Sequence, residues 1–378
     1  MTRARANLWP ALLAGASALI GAALAIGAIC ADQAWFDRHF LPTFFVTRER
    51  LVLGESAARA AAGVIGVVLM LVARPIARHA TSAGLARAVA ALILAIGVGE
   101  GLLHVGRHRA REEDPSQQEP LRRRDPYLGW VFVPSRVGRQ TVGGHAIDYA
   151  FDPHGDRVAD LAHPVDPSRP TILFTGESIM AGFGLPWQQT IPALVGARLH
   201  TCTANLAVFG YADDQAYLRL AREAPRFARP TAMVILFSPG LMFRDLDIDR
   251  PHLEPGMVWR PADRHWRLGA LVGFYIPYRS RRDIDRLVAL VRADLQAGVR
   301  LAHQRHAAAL IVVPQFGMED PVERALRKRI LDDAGLPYVQ VRLDPAWRIA
   351  GDPHPDARGA QAIAAAVADR LGQALPAR

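Results

Sequence analysis

Residues 171–178 read TILFTGES, a short apolar run that ends in a glycine, an acid and a serine. Four more apolar runs follow it, and stretches with helical periodicity separate them. The predicted strands are Thr171–Thr175, Thr203–Phe209, Ala232–Phe237, Ala308–Val313 and Tyr338–Val341, and the predicted helices lie at 188–199, 213–227, 281–306, 321–334 and 357–371. A strand followed by a helix, five times, predicts an α/β domain with a parallel sheet covered by helices on both faces.

Polar residues follow several of these strands, at the edge of the sheet where the loops of a parallel sheet converge. Ser178 follows the first strand, Gly210 lies in the turn after the second, and Asp352 and His354 follow the last. A histidine is the usual base for a serine hydroxyl, and a carboxylate can orient its imidazole. Taken singly, these residues also fit a turn serine, a helix cap and a surface histidine. Their combination at one edge favours a nucleophilic site.

The apolar residues upstream have a different pattern. The chain has 378 residues, 51% of them apolar, and a mean hydropathy of +0.08, which excludes a disordered or collagen-like chain. Three long apolar runs, Leu8–Ala31, Ala57–Ala73 and Leu85–Val105, predict about three transmembrane helices. A cleaved signal peptide is the alternative for the first run, but its length and the two later runs favour an anchor. Glu100, near the end of the third run, is expected to reach the membrane interface.

These patterns divide the chain into a membrane anchor at 1–106, a polar linker at 107–124 and an α/β domain at 125–378. Residues 250–278 interrupt the strand and helix rhythm with several prolines and aromatics, and they are expected to be a loop insertion. Most of the net charge of +9 lies before residue 125, where arginines flank the apolar runs, so nucleic-acid binding is disfavoured. The arginines, among them Arg3 and Arg5, do not decide the orientation of the spans. Two cysteines cannot form a disulfide framework.

Three blocks of the sequence resemble the SGNH (GDSL-type) hydrolases. They are ILFTGESIMAGFGLPWQQTIPALV at 172–195, NLAVFGYADDQ at 205–215 and DPHPDARGAQAIAAAVADRL at 352–371. The stretches DPYLGWVFVPSRVG at 125–138 and IDYAFDPHGDR at 147–157 are similar to the lead-in of membrane-anchored members. The resemblance covers about residues 125–375 and implies a three-layer, flavodoxin-like SGNH hydrolase domain.

The resemblance also implies roles for individual residues. Ser178 would be the nucleophile, His354 the general base and Asp352 the acid that orients it. The backbone amides of Ser178 and Gly210 would donate to the oxyanion, and no cofactor or metal is expected. The sequence shows no Walker A or dinucleotide-binding motif and no histidine cluster suited to a metal.

The chain departs from the family pattern at two positions. Glu177 stands where the commonest form has aspartate, and the third block, at 237–245, lacks the usual asparagine. Loss of one oxyanion donor costs about 10²- to 10³-fold in rate, which weakens catalysis without abolishing it. Ser238 or Arg244 is a possible replacement donor, whereas Asn205 belongs to the second block.

The expected function is a membrane-anchored serine esterase that hydrolyses an acyl ester, such as an O-acetyl group on a saccharide. The resemblance to anchored members, with three spans, implies an inner (cytoplasmic) membrane location and a hydrolase domain on the periplasmic or outer side. The expected partners are therefore the membrane and an ester or acylated saccharide. Two alternatives stay open: an acyltransferase to a glycan hydroxyl, and a catalytically weakened glycan-binding or assembly protein.

Overall fold

The computed structural model describes residues 8–79, 81–112, 121–263 and 266–374. The helices are α1 (Leu8–Cys30), α2 (Gln33–His39), α3 (Arg48–His79), α4 (Ser82–Glu112), α5 (Ser178–Ala181), α6 (Ile191–Leu199), α7 (Asp213–Glu223), α8 (Arg267–Tyr275), α9 (Arg281–Gln304), α10 (Pro321–Arg327) and α11 (Ala357–Ala374). The strands are β1 (Arg122–Asp125), β2 (Gly129–Phe132), β3 (Arg136–Val142), β4 (His145–Phe151), β5 (Arg157–Val158), β6 (Pro170–Thr175), β7 (Cys202–Asn205), β8 (Arg229–Leu236), β9 (His252–Glu254), β10 (Val258–Arg260), β11 (Ala308–Phe316) and β12 (Tyr338–Leu343).

The chain folds into two compact units. The helical unit holds the described residues of 8–41, 46–112 and 266–280, and the α/β unit holds those of 42–45, 121–263 and 281–374. Each unit thus contains a piece of chain that lies, in sequence, within the other. Arg3, Arg5 and eight of the eighteen residues of the predicted linker, residues 113–120, lie outside the described residues.

The helical unit contains three helices that are long and apolar enough to cross a membrane. The candidate spans are Pro10–Cys30, Arg48–His79 and Ser82–Val105, so the three predicted apolar runs are confirmed as helices. Helices α1 and α3 pack closely through glycines: a Cβ on Gly21 would lie 2.6 Å from the Gly66 oxygen. Small residues allow such close approach where lipid supplies no hydrophobic driving force between helices.

The α/β unit is built on an eight-stranded sheet with the order β12-β11-β8-β6-β7-β5-β4-β3. The five strands from β12 to β7 are parallel, and β5, β4 and β3 extend the sheet in the antiparallel sense. The predicted α/β domain with a mainly parallel sheet is therefore confirmed. The antiparallel extension was not predicted from the sequence. Its hairpin turns at Gly143 and Gly144, which both have the positive φ that a tight two-residue turn requires.

The order of the strands places the helices on two faces. From β6 the chain passes through α6 to β7 on one side, and then through α7 to β8 on the other side of β6. Because parallel crossovers are right-handed, connections that run in opposite directions put their helices on opposite faces. Accordingly α6 packs with α11, and α7 packs with α9. The carboxyl end of β6 lies where the direction of winding reverses, the usual place for a site in such sheets.

Two predicted boundaries differ from the structure. Helix α4 continues to Glu112, into the predicted linker, and β1 begins at Arg122. The segment predicted as a loop insertion contains the β9–β10 hairpin and α8. The prolines and aromatics of this segment favoured a loop. The elements in it are also too short to show a periodic pattern.

Candidate active site

The turn between β6 and α5 presents Ser178 at the carboxyl end of the central strand. Gly176 has φ +146°, and a Cβ there would lie 2.8 Å from the Leu236 Cβ, so only glycine fits. Glu177 is the N-cap of α5, and its Oε1 accepts a hydrogen bond from Ile179 N at 3.2 Å. Ser178 is therefore the first residue of α5, with its side chain at the start of the helix.

A buried arginine fixes the chain just after the serine. The Arg157 guanidinium donates to the carbonyl of Ala181 at 2.7 Å and also to those of Gly182 and Leu185. These carbonyls lie at and after the end of α5, where helical acceptors are left open. Burial lowers the pKa of Arg157 to about 10, and its guanidinium lies 4.4 Å from the ring centre of Tyr149. Arg157 ends a stretch, IDYAFDPHGDR at 147–157, that is similar to the lead-in of anchored family members, but this similarity indicates no role for the residue.

The structure brings Ser178, His354 and Asp352 together across 176 positions of sequence. Ser178 Oγ lies 2.7 Å from His354 Nε2, and His354 Nδ1 lies 2.6 Å from Asp352 Oδ1. Asp352 Oδ1 also accepts the His354 backbone N–H at 2.9 Å. This network suits the tautomer with the proton on Nδ1, which leaves Nε2 free to accept the serine proton. The catalytic roles of the three residues stay predictions.

The serine hydroxyl also contacts a second acceptor. Ser178 Oγ is hydrogen-bonded to Glu177 Oε2, while the same oxygen lies beside His354. Glu177 is buried, and the Arg244 guanidinium lies 3.7 Å from its Oε2. Since the hydroxyl has one proton, it can be donated to Glu177 or to His354 at any moment, but not to both. The exchange of aspartate for glutamate is visible in the sequence, but this contact is not.

The predicted oxyanion donors are backbone amides. The Ser178 amide belongs to the first turn of α5, where N–H groups have no acceptor within the helix. The loop that carries Gly210 lies beside the end of β6, because Val208 N donates to Gly176 O at 3.2 Å. Gly210 has φ +80°, and its carbonyl accepts from Arg250 at 2.8 Å. These observations leave the donor role of Gly210 a prediction.

Asn205 has a different task from an oxyanion donor. Its side chain is fully buried, its Nδ2 donates to Met180 O at 3.2 Å, and its Oδ1 accepts from Ala207 N at 3.2 Å. The Nδ2 group therefore joins the second block to the segment that follows the serine, and Oδ1 holds the turn within the second block itself. This agrees with the view that Asn205 does not replace the missing asparagine.

The third block is covered by a segment from near the beginning of the chain. Phe44 N donates to Gly240 O at 3.0 Å, and a Cβ on Gly240 would lie 2.7 Å from that nitrogen. The Phe44 ring lies 6.3 Å from the imidazole of His354 and 5.8 Å from Phe316. Phe183 lies 4.6 Å from the same imidazole. No sequence pattern indicated this contact of Phe44, because nearly two hundred residues separate it from Gly240.

Arg244, a residue of the third block, is held by other residues of the protein. Its Nη1 donates to Tyr211 O at 3.2 Å, close to the Glu177 carboxylate, and its guanidinium lies 5.9 Å from the ring centre of Phe45. Burial lowers the pKa of Arg244, and the charge of Glu177 opposes that effect. Ser238 is buried and lines a small cavity with Glu177.

A group of buried carboxyls lies behind the site. Burial, and then the charge of Asp213, raises the pKa of Asp245 well above its ordinary value. Burial, and then the charge of Asp245, raises the pKa of Asp294, and burial raises the pKa of Asp214 to about 6. Within the described residues no group of three His, Cys, Asp or Glu side chains is arranged to hold a metal ion.

No protein-family model and no curated protein sequence matches the chain. Solved structures that are similar to it include a GDSL-like lipase from Bacteroides thetaiotaomicron, with TM-score 0.33, 14% identity and coverage of 54% of this chain and 89% of that one. A member of the lipolytic protein G-D-S-L family from Veillonella parvula has TM-score 0.34, 12% identity and coverage of 54% and 98%. A carbohydrate acetylesterase from Sinorhizobium meliloti has TM-score 0.33, 12% identity and coverage of 55% and 100%. Because the identities and TM-scores are low, the proposed function rests on the geometry of the site.

Proposed function

We propose that the protein is a membrane-anchored serine esterase of the SGNH type, which hydrolyses an acyl ester. The observation that carries this proposal is the pair of short contacts from Ser178 Oγ to His354 Nε2 and from His354 Nδ1 to Asp352 Oδ1. A hydroxyl, an imidazole and a carboxylate in this order form the relay that activates a serine nucleophile.

In the proposed reaction, Ser178 Oγ attacks the ester carbonyl while its proton passes to His354 Nε2. Asp352 stabilises the imidazolium, which then gives the proton to the leaving alcohol as the tetrahedral intermediate collapses. Water, deprotonated by His354, attacks the acyl-enzyme and releases the acid. The amides of Ser178 and Gly210 would stabilise the oxyanion in both steps.

The missing asparagine sets the expected rate. Without a third donor, turnover should lie about 10²- to 10³-fold below that of a site with a complete oxyanion hole. Arg244 is engaged by Tyr211 O and lies near Glu177, so it would have to leave these partners to serve as a donor. We therefore assign the stabilisation of the oxyanion to the two backbone amides.

The substrate class and the location belong to the same proposal. An acyl group on a saccharide is the substrate that the similarity of residues 125–138 to anchored family members favours. Helices α1, α3 and α4 would hold the protein in the inner membrane, with the α/β unit on the periplasmic or outer side. Cleavage by protease added to right-side-out vesicles, and protection in inverted ones, is the expected result.

The test uses the full chain in nanodiscs with a fluorophosphonate probe and with p-nitrophenyl acetate. We expect the wild type to be labelled and to release nitrophenol, and the Ser178→Ala variant to lose both signals. Ser168→Ala is the matched control, because Ser168 is exposed and its Oγ bonds only to Asp166 among the described contacts. Labelling that persists in Ser178→Ala would exclude Ser178 as the nucleophile.

A saccharide-binding protein without turnover is the second candidate function. It is favoured by the absence of the asparagine and by Glu177, which competes with His354 for the serine proton. Acetylated-saccharide binding that is unchanged in Ser178→Ala, with no turnover in the wild type, would select it. Addition of a sugar acceptor to the esterase assay also separates hydrolysis from acyl transfer.

A further inference from the structure

Helix α8 comes from the middle of the α/β sequence but belongs to the helical unit. Its first amides are bound by an acid of a candidate span. Arg267 N donates to Glu100 Oε1 and Leu268 N to Glu100 Oε2, each at 2.7 Å. His104 Nε2 lies 2.9 Å from the same carboxylate. The carboxylate of Glu100 thus caps the positive end of α8, which gives this membrane-helix acid a partner.

The other end of the segment is held by α2. Arg279 N donates to His39 O at 2.8 Å, and the ring of Tyr278 stacks on that of His39 with centres 5.2 Å apart. Helix α2 begins three residues after α1 ends. In a bundle of three consecutive spans, the ends of the first and third spans lie on one side of the bilayer. Both attachments of the segment are therefore at that side.

Several apolar side chains between these attachments are exposed. Leu271 is 39% exposed, Val272 54% and Ile276 60%, and Trp266 at the start of the segment is 57% exposed. Residues 268–278 contain no charged side chain, while Arg267 and Arg279 flank them. Eleven residues are too few to cross the hydrocarbon layer, which takes about 20 residues of helix. An uncharged exposed face of this kind needs a cover other than water.

The position of Glu100 along its candidate span indicates that lipid covers the exposed apolar side chains. Glu100 lies five residues before Val105, the end of the candidate span, which at about 1.5 Å per residue places it 7 to 8 Å inside that end. Helices that lie in a membrane interface bury their apolar face to about 5–10 Å. Aromatic side chains such as Trp266 and Tyr278 are enriched at the same level.

From these observations we infer that residues 266–278 form an interfacial membrane segment, with Leu271, Val272 and Ile276 in contact with lipid acyl chains. The segment lies on the side of the bilayer where α1 and α4 end. The inference rests on the proposed membrane anchoring and is independent of the proposed esterase chemistry. The segment would thus add a lipid contact to the helical unit beyond its three candidate spans.

The test measures depth with single cysteines in nanodiscs, on a Cys30→Ser, Cys202→Ser background. An environment-sensitive fluorophore is placed at Ile276→Cys, and phospholipids carry a nitroxide quencher near the glycerol or near the end of the acyl chain. We expect the shallow quencher to remove most of the emission and the deep quencher to remove little. Tyr275→Cys is a second labelling position in the same segment, where the side chain is 75% exposed.

Two control positions separate this inference from its premise. Ile20→Cys, 56% exposed in α1, should be quenched by the deep nitroxide, and Asp333→Cys, exposed near the amino end of β12, by neither. If Ile20→Cys is not quenched, the anchoring proposal fails and the inference with it. If Ile20→Cys is quenched but Ile276→Cys and Tyr275→Cys are not, the inference alone is overturned, and disulfide crosslinking between Ile276→Cys copies would then identify a second copy of the chain as the cover.

Discussion

The hydrogen bond between Asp352 and His354 determines which nitrogen of the imidazole carries the proton. With Asp352 Oδ1 at 2.6 Å from Nδ1, the lone pair of Nε2 faces Ser178. In an Asp352→Asn variant the amide would donate to Nδ1 and favour the opposite tautomer. We expect kcat for p-nitrophenyl acetate to fall by up to about 10⁴-fold, with a smaller change in KM.

The control for this variant is its thermal midpoint, which shows whether the protein is still folded. Asp352→Asn should keep the thermal midpoint of the wild type, because the amide oxygen can still accept the His354 backbone N–H. A loss of activity smaller than tenfold in a folded Asp352→Asn protein would show that Asp352 does not orient the base.

Arg157 gives a prediction about stability instead of catalysis. In Arg157→Met the carbonyls of Ala181, Gly182 and Leu185 lose a buried donor. Each unsatisfied buried polar group costs about 1–3 kcal/mol, so we expect a loss of at least about 3 kcal/mol, seen as a fall of roughly 10 °C in the thermal midpoint.

Arg139→Met is the matched control for Arg157→Met. Arg139 is 68% exposed in its side chain and pairs with Asp148 at the surface, where such pairs add little to stability. Its midpoint should equal that of the wild type. Equal midpoints for both variants would contradict the role given to the buried guanidinium.

At the scale of elements, α7, α9 and the 3₁₀ helix Met242–Leu246 each bring a buried carboxyl to one place. The pKa values of Asp214, Asp245 and Asp294 are all raised, chiefly by burial. The folded chain therefore binds more protons than the unfolded chain between the ordinary aspartate pKa, about 3.9, and the raised values. Their contribution to stability is complete below this window and is lost as the pH rises through it.

We therefore expect the thermal midpoint to fall as the pH rises from about 4 through the pKa of Asp214, about 6. The Asp294→Asn variant should show a smaller fall, because neither Asp294 oxygen has a hydrogen-bond partner among the described residues and the charged form is costly. Asp369→Asn, at an exposed position on α11, should keep the wild-type slope. If the thermal midpoint of Asp294→Asn fell more steeply with pH than that of the wild type, the raised pKa of Asp294 would be contradicted.

The segment 42–45 is an element without regular structure, yet it touches the third block and His354. Phe44→Ala removes a ring that lies against His354 and Phe316. A half-buried phenylalanine contributes about 1–3 kcal/mol. We expect a midpoint several degrees lower, together with a lower kcat from a less confined imidazole. Phe45→Ala, at an exposed position, should change kcat less.

The elements also show what a sequence can reveal. The strand-end positions of Ser178 and His354 followed from apolar runs and from the convergence of parallel strands at one edge. The sequence did not predict the long-range contacts of three residues, because their partners lie far away along the chain. These residues are Phe44, Arg157 and Glu100. The antiparallel strands β3 and β4 alternate exposed and buried residues only over short lengths, which hid them among polar residues.

For the whole molecule, the two units share the chain in an interleaved way, so neither can be removed cleanly. A protein of residues 107–378 would lack Phe44, which contacts the third block. It would also contain α8 without Glu100, the residue that caps this helix. We expect this truncation to aggregate in water by size-exclusion chromatography. In mild detergent it should stay dispersed but show a lower kcat than the full chain.

Full activity of the 107–378 protein in water would show that the segment 42–45 and the cap on α8 are dispensable. The informative comparison is Phe44→Ala in the full chain. If truncation and Phe44→Ala lower kcat equally, the loss of the phenylalanine accounts for the effect of the missing residues.

The interleaving also fixes the order of events during synthesis. Phe44 leaves the ribosome about 310 residues before His354, which at about 5–20 residues per second means a delay of roughly 15–60 s. Throughout that interval the phenylalanine has no imidazole to pack against. Under the proposed function, Ser178 can meet His354 only late in synthesis, after the three candidate spans have left the ribosome, and a nascent chain stalled before His354 would be an inactive precursor.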